Sequence, residues 1–318
     1  MIELNGQLGK YKIVKKLGSG GFGTVYLAED TFLKTYRALK IPHRRGPMAE
    51  KSLQECILQS RLLDHPHIVK LLTVDIIDHN VVMVMEFIKG TDLETLLDQE
   101  EKLEIATALK YFKQLLSALD FAHKHKVIHR DIRPSNIMIN EDDDIKVTDF
   151  GTSTLLDQKQ YATTKIGSPP YMAPEQFEGR AVLASDIYSA GCLFYEMVSG
   201  LPPIVLANPM EIYKKAKVSD FTPLKKKVPD IHNELDHIIS RAMAPSLDIR
   251  YKYAADLLDD LEQMEMGNER RWSDNSAEIK KIKERINARH KRTDYICWNC
   301  NKVMPRQMDR CLYCGTEQ

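Results

Sequence analysis

Apolar and polar residues alternate through residues 11–41 so as to mark off three short extended segments, YKIVKKL, GTVYLAED and TYRALKI, the last ended by Pro42. A period of two, broken by turn residues, predicts strands of an antiparallel sheet with a run of glycines in the first turn. A helical stretch over roughly 48–63 stops at His65-Pro66-His67-Ile68-Val69, and two more strands follow in VKLLTVDII and VVMVMEFI. The first part of the chain is therefore expected to be a small sheet with one helix. From residue 103 the period lengthens: Ile105, Leu109, Phe112, Leu116 and Leu119 recur every three to four positions, as a helix burying one face requires. Further helices are predicted over 185–199, 231–243 and 253–266, the first so apolar that it is expected at the centre. After Met266 the sequence turns polar and charged, which predicts a linker over 267–294, helical in its AEIKKIKERINARH half.

At 318 residues the chain can bury one large core or two lobes and keep length for a small accessory module. Lysine plus arginine equals aspartate plus glutamate, 45 each, so no global field draws it to nucleic acid or an anionic membrane. Any such partner must be met locally. The longest apolar run, VVMVMEFI, is too short to span a bilayer, and the start of the chain lacks a secretory pattern, so a cytoplasmic location is expected. Of the cysteines, Cys56 and Cys192 stand alone beside apolar neighbours, the setting of packed thiols. Cys297, Cys300, Cys311 and Cys314 crowd the end of the chain.

Candidate chemistry concentrates in HRDIRPSN at 129–136 and in DFG, which starts thirteen positions after Asn136. An acidic residue able to orient a hydroxyl nucleophile, Asp131, is followed by an amide and a carboxylate, Asn136 and Asp149, whose hard oxygens suit magnesium. Upstream, Leu17 and Ser19 flank the first glycines. Gly18, Gly20, Gly21 and Gly23 leave a backbone bare enough to approach phosphate oxygens. Lys40 ends an apolar strand, where a buried ammonium needs a negative partner.

These motifs, in this order, resemble the eukaryotic-like, bacterial Hanks-type Ser/Thr protein kinases, over roughly residues 8–266. The resemblance implies an α+β, two-lobed kinase fold, with ATP and magnesium as cofactors and proteins as substrates. It implies that Phe22 caps the glycine loop, that Val25 and Ala38 cover the adenine and Met138 lies beneath it, and that Glu55 pairs with Lys40. Met85 is then the residue at the back of the pocket, with Glu86 to Ile88 offering backbone hydrogen bonds to the base. Asp92 is placed for the ribose, although a helix N-cap is an equally good use for it. Arg133 stands where Ser/Thr kinases usually carry lysine, and exchanges a point charge for a planar fork. An activation segment would lie between DFG and Ala173-Pro174-Glu175, with Thr164 as its phosphorylation site, Thr163 as substitute, and an exposed Arg130 to receive the phosphate. Ser168 is expected to hydrogen-bond near Asp131 and Arg133. Glu175 would pair with Arg250, and Asp186 would anchor the catalytic loop. A scaffold that keeps the fold without catalysis, and a small-molecule kinase, are the competing functions.

The tail reads Cys-x2-Cys, ten residues, Cys-x2-Cys, and resembles a zinc ribbon over 295–318. So short a segment cannot bury enough surface to fold unaided, so metal would supply its stability. A pair of redox-active dithiols is the rival reading. Lys302, Arg306 and Arg310 are placed to offset the excess negative charge of four zinc-bound thiolates; with Trp298 and Tyr313 they could instead contact nucleic acid or an acidic protein surface, and docking of a protein is the expectation.

Overall fold

The structure, a computed structural model, describes residues 6–20, 23–43, 65–78, 80–150 and 167–265, with the backbone of strands at 154–155, 295–296 and 303–304. The predicted helix over 48–63 with Glu55 and Cys56 lies outside the described residues. So do Gly21, Phe22, Thr163, Thr164, the linker 267–294 and Cys297, Cys300, Cys311 and Cys314. The chain divides into two compact units, Met1–Met266 and Gly267–Gln318.

The first unit opens with β1 (Gln7–Leu8), β2 (Tyr11–Gly20), β3 (Gly23–Asp30), β4 (Thr35–Ile41), β5 (Leu71–Ile77) and β6 (Asn80–Glu86). They form one antiparallel sheet in the order β1-β2-β3-β4-β6-β5. Successive side chains of a strand face opposite ways, and here both faces are apolar. Tyr26, Ala28, Leu39, Val82 and Val84 pack with Leu8, Tyr11 and Ile13 into a core on one side. Their neighbours Val25, Ala38, Met83 and Met85 gather with Val69 and Leu71 on the other. The register makes this separation, since Leu39 lies opposite Tyr26 and Val84, and Ala38 opposite Leu27 and Met85. Gly23 is required by packing: a Cβ there would stand 2.6 Å from the Ile41 carbonyl oxygen. At that position glycine serves the sheet before any ligand.

Beyond β7 (Gly90–Asp92) the unit is mainly helical, with α1 (Leu93–Glu100) and α2 (Ile105–Lys124) first. In α2 the buried face holds Phe112, Leu115, Leu116 and Leu119, while Ile105 and Leu109 are only half-buried. Each large side chain so buried contributes about 1.5–3 kcal/mol. Next come β8 (Val127–Ile128), β9 (Ile137–Asn140), β10 (Ile145–Val147) and β11 (Thr154–Leu155), then α3 (Pro174–Phe177) and α4 (Leu183–Ser199). The unit closes with α5 (Pro209–Lys217), α6 (Leu224–Lys227), α7 (Asn233–Ala242) and α8 (Ala254–Glu265). Helix α4 is buried almost all round, as its unbroken apolar run predicts, and α2 and α7 pack against it. Cys192 on this helix is fully packed, and burial pushes its thiol far above the ordinary range.

Two ties fix the helical part. Arg250 holds Glu175 in a bidentate pair, Nη1 to Oε1 at 2.6 Å and Nη2 to Oε2 at 3.1 Å, and also donates to the carbonyls of Ala184 and Ala244. Segment 65–69 joins the sheet to β10, with the Val69 amide on the Val147 carbonyl at 2.9 Å and the Val147 amide on His67 at 2.8 Å. In the second unit, Tyr295–Ile296 pairs antiparallel with Val303–Met304.

Candidate active site

The cleft-facing side of the sheet becomes the roof of a cavity of about 430 Å³, whose other wall is β9 and the residues around it. Val25, Ala38, Val69, Met85 and Met138 make one end apolar; Lys40, Asn136 and Asp149 make the other polar. Leu17, Gly18, Glu86, Ile88 and Asp92 also line it, so most of the predicted binding residues meet here. Val69 was not foreseen. A Cβ built on Gly18 meets nothing within 4 Å among the described residues, so none of their atoms demands glycine there, and Gly18 lines the cleft. Ser19 turns instead to Thr24, its hydroxyl 3.0 Å from Thr24 Oγ1.

Glu86 spends its backbone N–H on the Lys70 carbonyl at 3.0 Å. Its carboxylate accepts from the Lys70 amide at 2.8 Å and from Lys146 Nζ at 2.9 Å. Its side chain is thus a fastening of the strand end. Asp92 caps α1, accepting from the Thr95 amide at 2.8 Å and the Thr95 hydroxyl at 2.9 Å. It does this while lining the cavity, so of the two uses foreseen for it the helix cap is the one made here.

At the polar end, Lys40 Nζ lies 2.5 Å from Asp149 Oδ1, with its side chain only 8% exposed. Burial removes water from the ammonium, and the carboxylate replaces it. Asn136 donates its amide nitrogen to the Asp131 carbonyl at 2.7 Å and to Asp131 Oδ2 at 3.2 Å. That commits the nitrogen and leaves the amide oxygen for a cation. Oxygen donors from an amide and a carboxylate, beside a buried ammonium and an apolar recess, fit magnesium and a nucleoside triphosphate.

Asp131 is held from both sides. Its second oxygen, Oδ1, accepts from Ser168 Oγ at 2.8 Å, and Ser168 accepts from Arg133 Nη1 at 3.2 Å. Arg133 Nη2 reaches Glu94 on α1 at 3.1 Å. The guanidinium thus bridges a helix and the end of the segment between DFG and Ala173, which a lysine's single nitrogen could not do with this geometry. Glu94 carries no sequence signal beyond an acid in the first turn of a helix. Below, Tyr171 donates to Glu196 at 2.7 Å; burial pushes the Glu196 carboxyl up to about 7, against the hydrogen bond from Tyr171.

The loop itself is anchored from α4. Asp186 accepts from the amides of His129 at 2.9 Å and Arg130 at 2.8 Å, and from His123 Nε2 at 2.9 Å. Burial alone raises this carboxyl, but the His123 hydrogen bond and the surrounding donors outweigh it, and it stays below the usual range. Arg130 and Asp149 both have positive φ, 69° and 63°. A side chain in that region costs about 1–3 kcal/mol and persists only when the surroundings over-determine it. For Arg130 those surroundings are the Asp186 contact and its carbonyl, which accepts from Gln176 at 3.0 Å. Arg130 is also buried, 6% exposed, where the sequence reading expected an exposed guanidinium. Phe150 packs edge-on against His129, centroids 4.6 Å apart, and is likewise buried.

The protein kinase domain family matches residues 11–282. The chain belongs to the protein kinase family. It is 35% identical over 260 residues to a probable serine/threonine-protein kinase of Clostridium acetobutylicum, a match covering 79% of this chain and 39% of that protein. It is 32% identical over 270 residues to the serine/threonine-protein kinase PknB of Mycolicibacterium smegmatis, covering 81% and 43%. With the serine/threonine-protein kinase PrkC of Bacillus subtilis it shares 32% over 259 residues, covering 80% and 40%. The matched region spans about two fifths of each of these relatives.

Proposed function

We propose that this kinase transfers the γ-phosphoryl group of ATP to serine and threonine hydroxyls of proteins, its own included. The observation that carries the reading is the convergence of Lys40, Asp131, Asn136 and Asp149 at the polar end of a cleft whose far end is apolar. Magnesium-ATP supplies the phosphoryl group and the metal that neutralises its charge. Asp131, fixed by Asn136 and Ser168, orients the incoming hydroxyl and takes its proton. Asn136 and Asp149 hold the metal, Lys40 holds the phosphates, and Arg133 keeps positive charge beside the transferring group. Gly18, Gly20, Gly21, Phe22 and Gly23 close over the phosphates, and Glu55 completes the pairing of Lys40. Autophosphorylation with radiolabelled ATP and magnesium tests this: Asp131→Asn should abolish transfer and leave nucleotide binding largely intact. A chain that binds nucleotide and transfers nothing in its native form would be a scaffold instead.

The same reading assigns control to Thr164, with Thr163 as substitute, because a phosphate there gives Arg130 a bidentate partner. Mass spectrometry of active protein, with the double alanine variant, decides this.

The tail is read as a zinc ribbon that docks a protein partner. The spacing of Cys297, Cys300, Cys311 and Cys314 supports it, as does a strand pair whose intervening residues carry the first two cysteines. A cytoplasmic location is part of the same proposal; no helix among the described residues is long and apolar enough to cross a membrane.

A further inference from the structure

A second concavity, of about 540 Å³, lies between the segment that follows α4 and the connection from α5 to α6. Pro203, Val205 and Leu206 form one wall, Phe221 and Pro223 the other, with Lys215 and Lys226 at the rim. Its apolar groups are open to solvent: Val205 is 61% exposed. Residues 201–227 hold six lysines and two acids, in a chain whose charges balance as a whole. Lys215 is offset by Asp220 at 3.0 Å, Lys217 by Glu178 at 3.4 Å, and Lys225 donates to the Ile231 carbonyl. The side-chain ammonium groups of Lys214, Lys226 and Lys227 have no hydrogen-bond or ion-pair partner among the described residues. Of these three, Lys226 lines the aliphatic recess itself, and Lys214 and Lys227 are the chain neighbours of its lining residues Lys215 and Lys226.

The recess is also connected to the site. Helix α5 supplies Lys215 to its rim and packs on its own other side against α3 and the 3₁₀ turn Pro169–Tyr171. That turn directly follows Ser168, the residue bonded to Asp131. A polypeptide presenting a hydroxyl to Asp131 therefore lies over elements continuous with α5.

We propose that this groove docks an acidic segment of the protein substrate, with one aliphatic side chain seated between Val205 and Pro223 and carboxylates facing Lys214, Lys226 and Lys227. The proposal rests on the kinase reading and names how that site selects proteins. Charge complementarity chooses an acidic occupant. The aliphatic and proline walls choose a peptide over a nucleic acid: Phe221, the one aromatic among the described lining residues, is already packed edge-on against Tyr195, so no free ring is offered for a base to stack on.

The test uses the full chain and a fluorescein-labelled heptapeptide, six glutamates around a central leucine, followed by anisotropy without ATP. In parallel, a generic serine peptide is phosphorylated with and without that segment tethered by a Gly-Ser linker. The variant Lys214→Glu/Lys226→Glu/Lys227→Glu, and separately Val205→Asp, should weaken binding about tenfold or more. The same variants should raise KM for the tethered substrate alike and leave kcat, and KM for the untethered peptide, unchanged. Equal binding of a peptide with serine in place of leucine, or of an oligothymidylate, would overturn the proposal in favour of a plain polyanion patch. Unchanged binding by the variants would also overturn it. Because anisotropy needs no catalysis, peptide binding by a native chain that phosphorylates nothing would remove the kinase activity and keep the groove.

Discussion

Ser168 Oγ donates to Asp131 Oδ1 at 2.8 Å and receives Arg133 Nη1 at 3.2 Å, so the segment leading into α3 touches the catalytic loop through one hydroxyl. Removing it frees the carboxylate to rotate and leaves the Arg133 fork half-used. Ser168→Ala is predicted to lower kcat by about ten- to a hundredfold with KM for ATP little changed, the range of a lost positioning contact. Ser168→Thr keeps the hydroxyl and should recover most of it. Steady-state kinetics with a generic peptide decide the point, and a wild-type kcat in the alanine variant would sink it.

The Glu175–Arg250 pair is buried, and Arg250 also donates to three carbonyls, those of Ala184, Ala244 and Pro245. Breaking such a pair from one side strands a charge, at a cost of about 3–5 kcal/mol. Arg250→Met should lose that much stability in urea unfolding, whereas Glu175→Leu with Arg250→Met should lose clearly less. Equal losses would mean that the carbonyl contacts of Arg250, and not the ion pair, hold α3 in place.

Glu196 titrates near 7 in the folded protein because it is buried, against an ordinary value of 4.5. The folded state therefore binds a proton that the unfolded chain has released between those values, so this group makes stability fall as pH rises from about 5 to 8. Glu196→Gln should flatten that fall, the difference reaching on the order of 2 kcal/mol at the upper end. Urea unfolding of both proteins at pH 5, 6, 7 and 8 measures it; parallel curves would show that the carboxyl ionises normally.

Metal analysis of the full chain purified under reducing conditions should give one zinc per chain, lost on Cys297→Ser with Cys300→Ser. A chain ending at Met266 should still phosphorylate a generic peptide at the full-length rate, since Lys40, Asp131, Asn136 and Asp149, the residues proposed for the transfer, all precede it. Metal-free protein would remove the ribbon. A folded but dead truncated chain would remove the separation of catalysis from docking.

The sheet was legible because its strands are short apolar segments set off by turn residues: β3 and β4 fall on segments marked off within 11–41 and β6 on the apolar run VVMVMEFI, although their burial does not alternate, since both faces of the sheet are covered. The apolar helices were legible for the same kind of reason. Helix α5 was not, because its face is short and lysine-rich and its start rests on Asn208 capping the Met210 amide. Within the site, residues fixed by a motif were found, whereas Glu94 and Val69 were not, since both enter from segments whose local pattern says only helix start or strand approach. The burial of Arg130 was misjudged for a three-dimensional reason. Its backbone is pulled onto Asp186 and Gln176 from elements distant in sequence.

One carboxylate on the deepest helix takes the amide hydrogens of both His129 and Arg130. Solvent cannot reach those hydrogens without uncovering a charge that is entirely enclosed. In a deuterium-exchange experiment the loop just before Asp131 should therefore behave as part of the core, exchanging only when the whole helical body opens. A loop so protected would keep its shape through turnover, which would leave any conformational switching to the parts around Asp131 and not to its backbone.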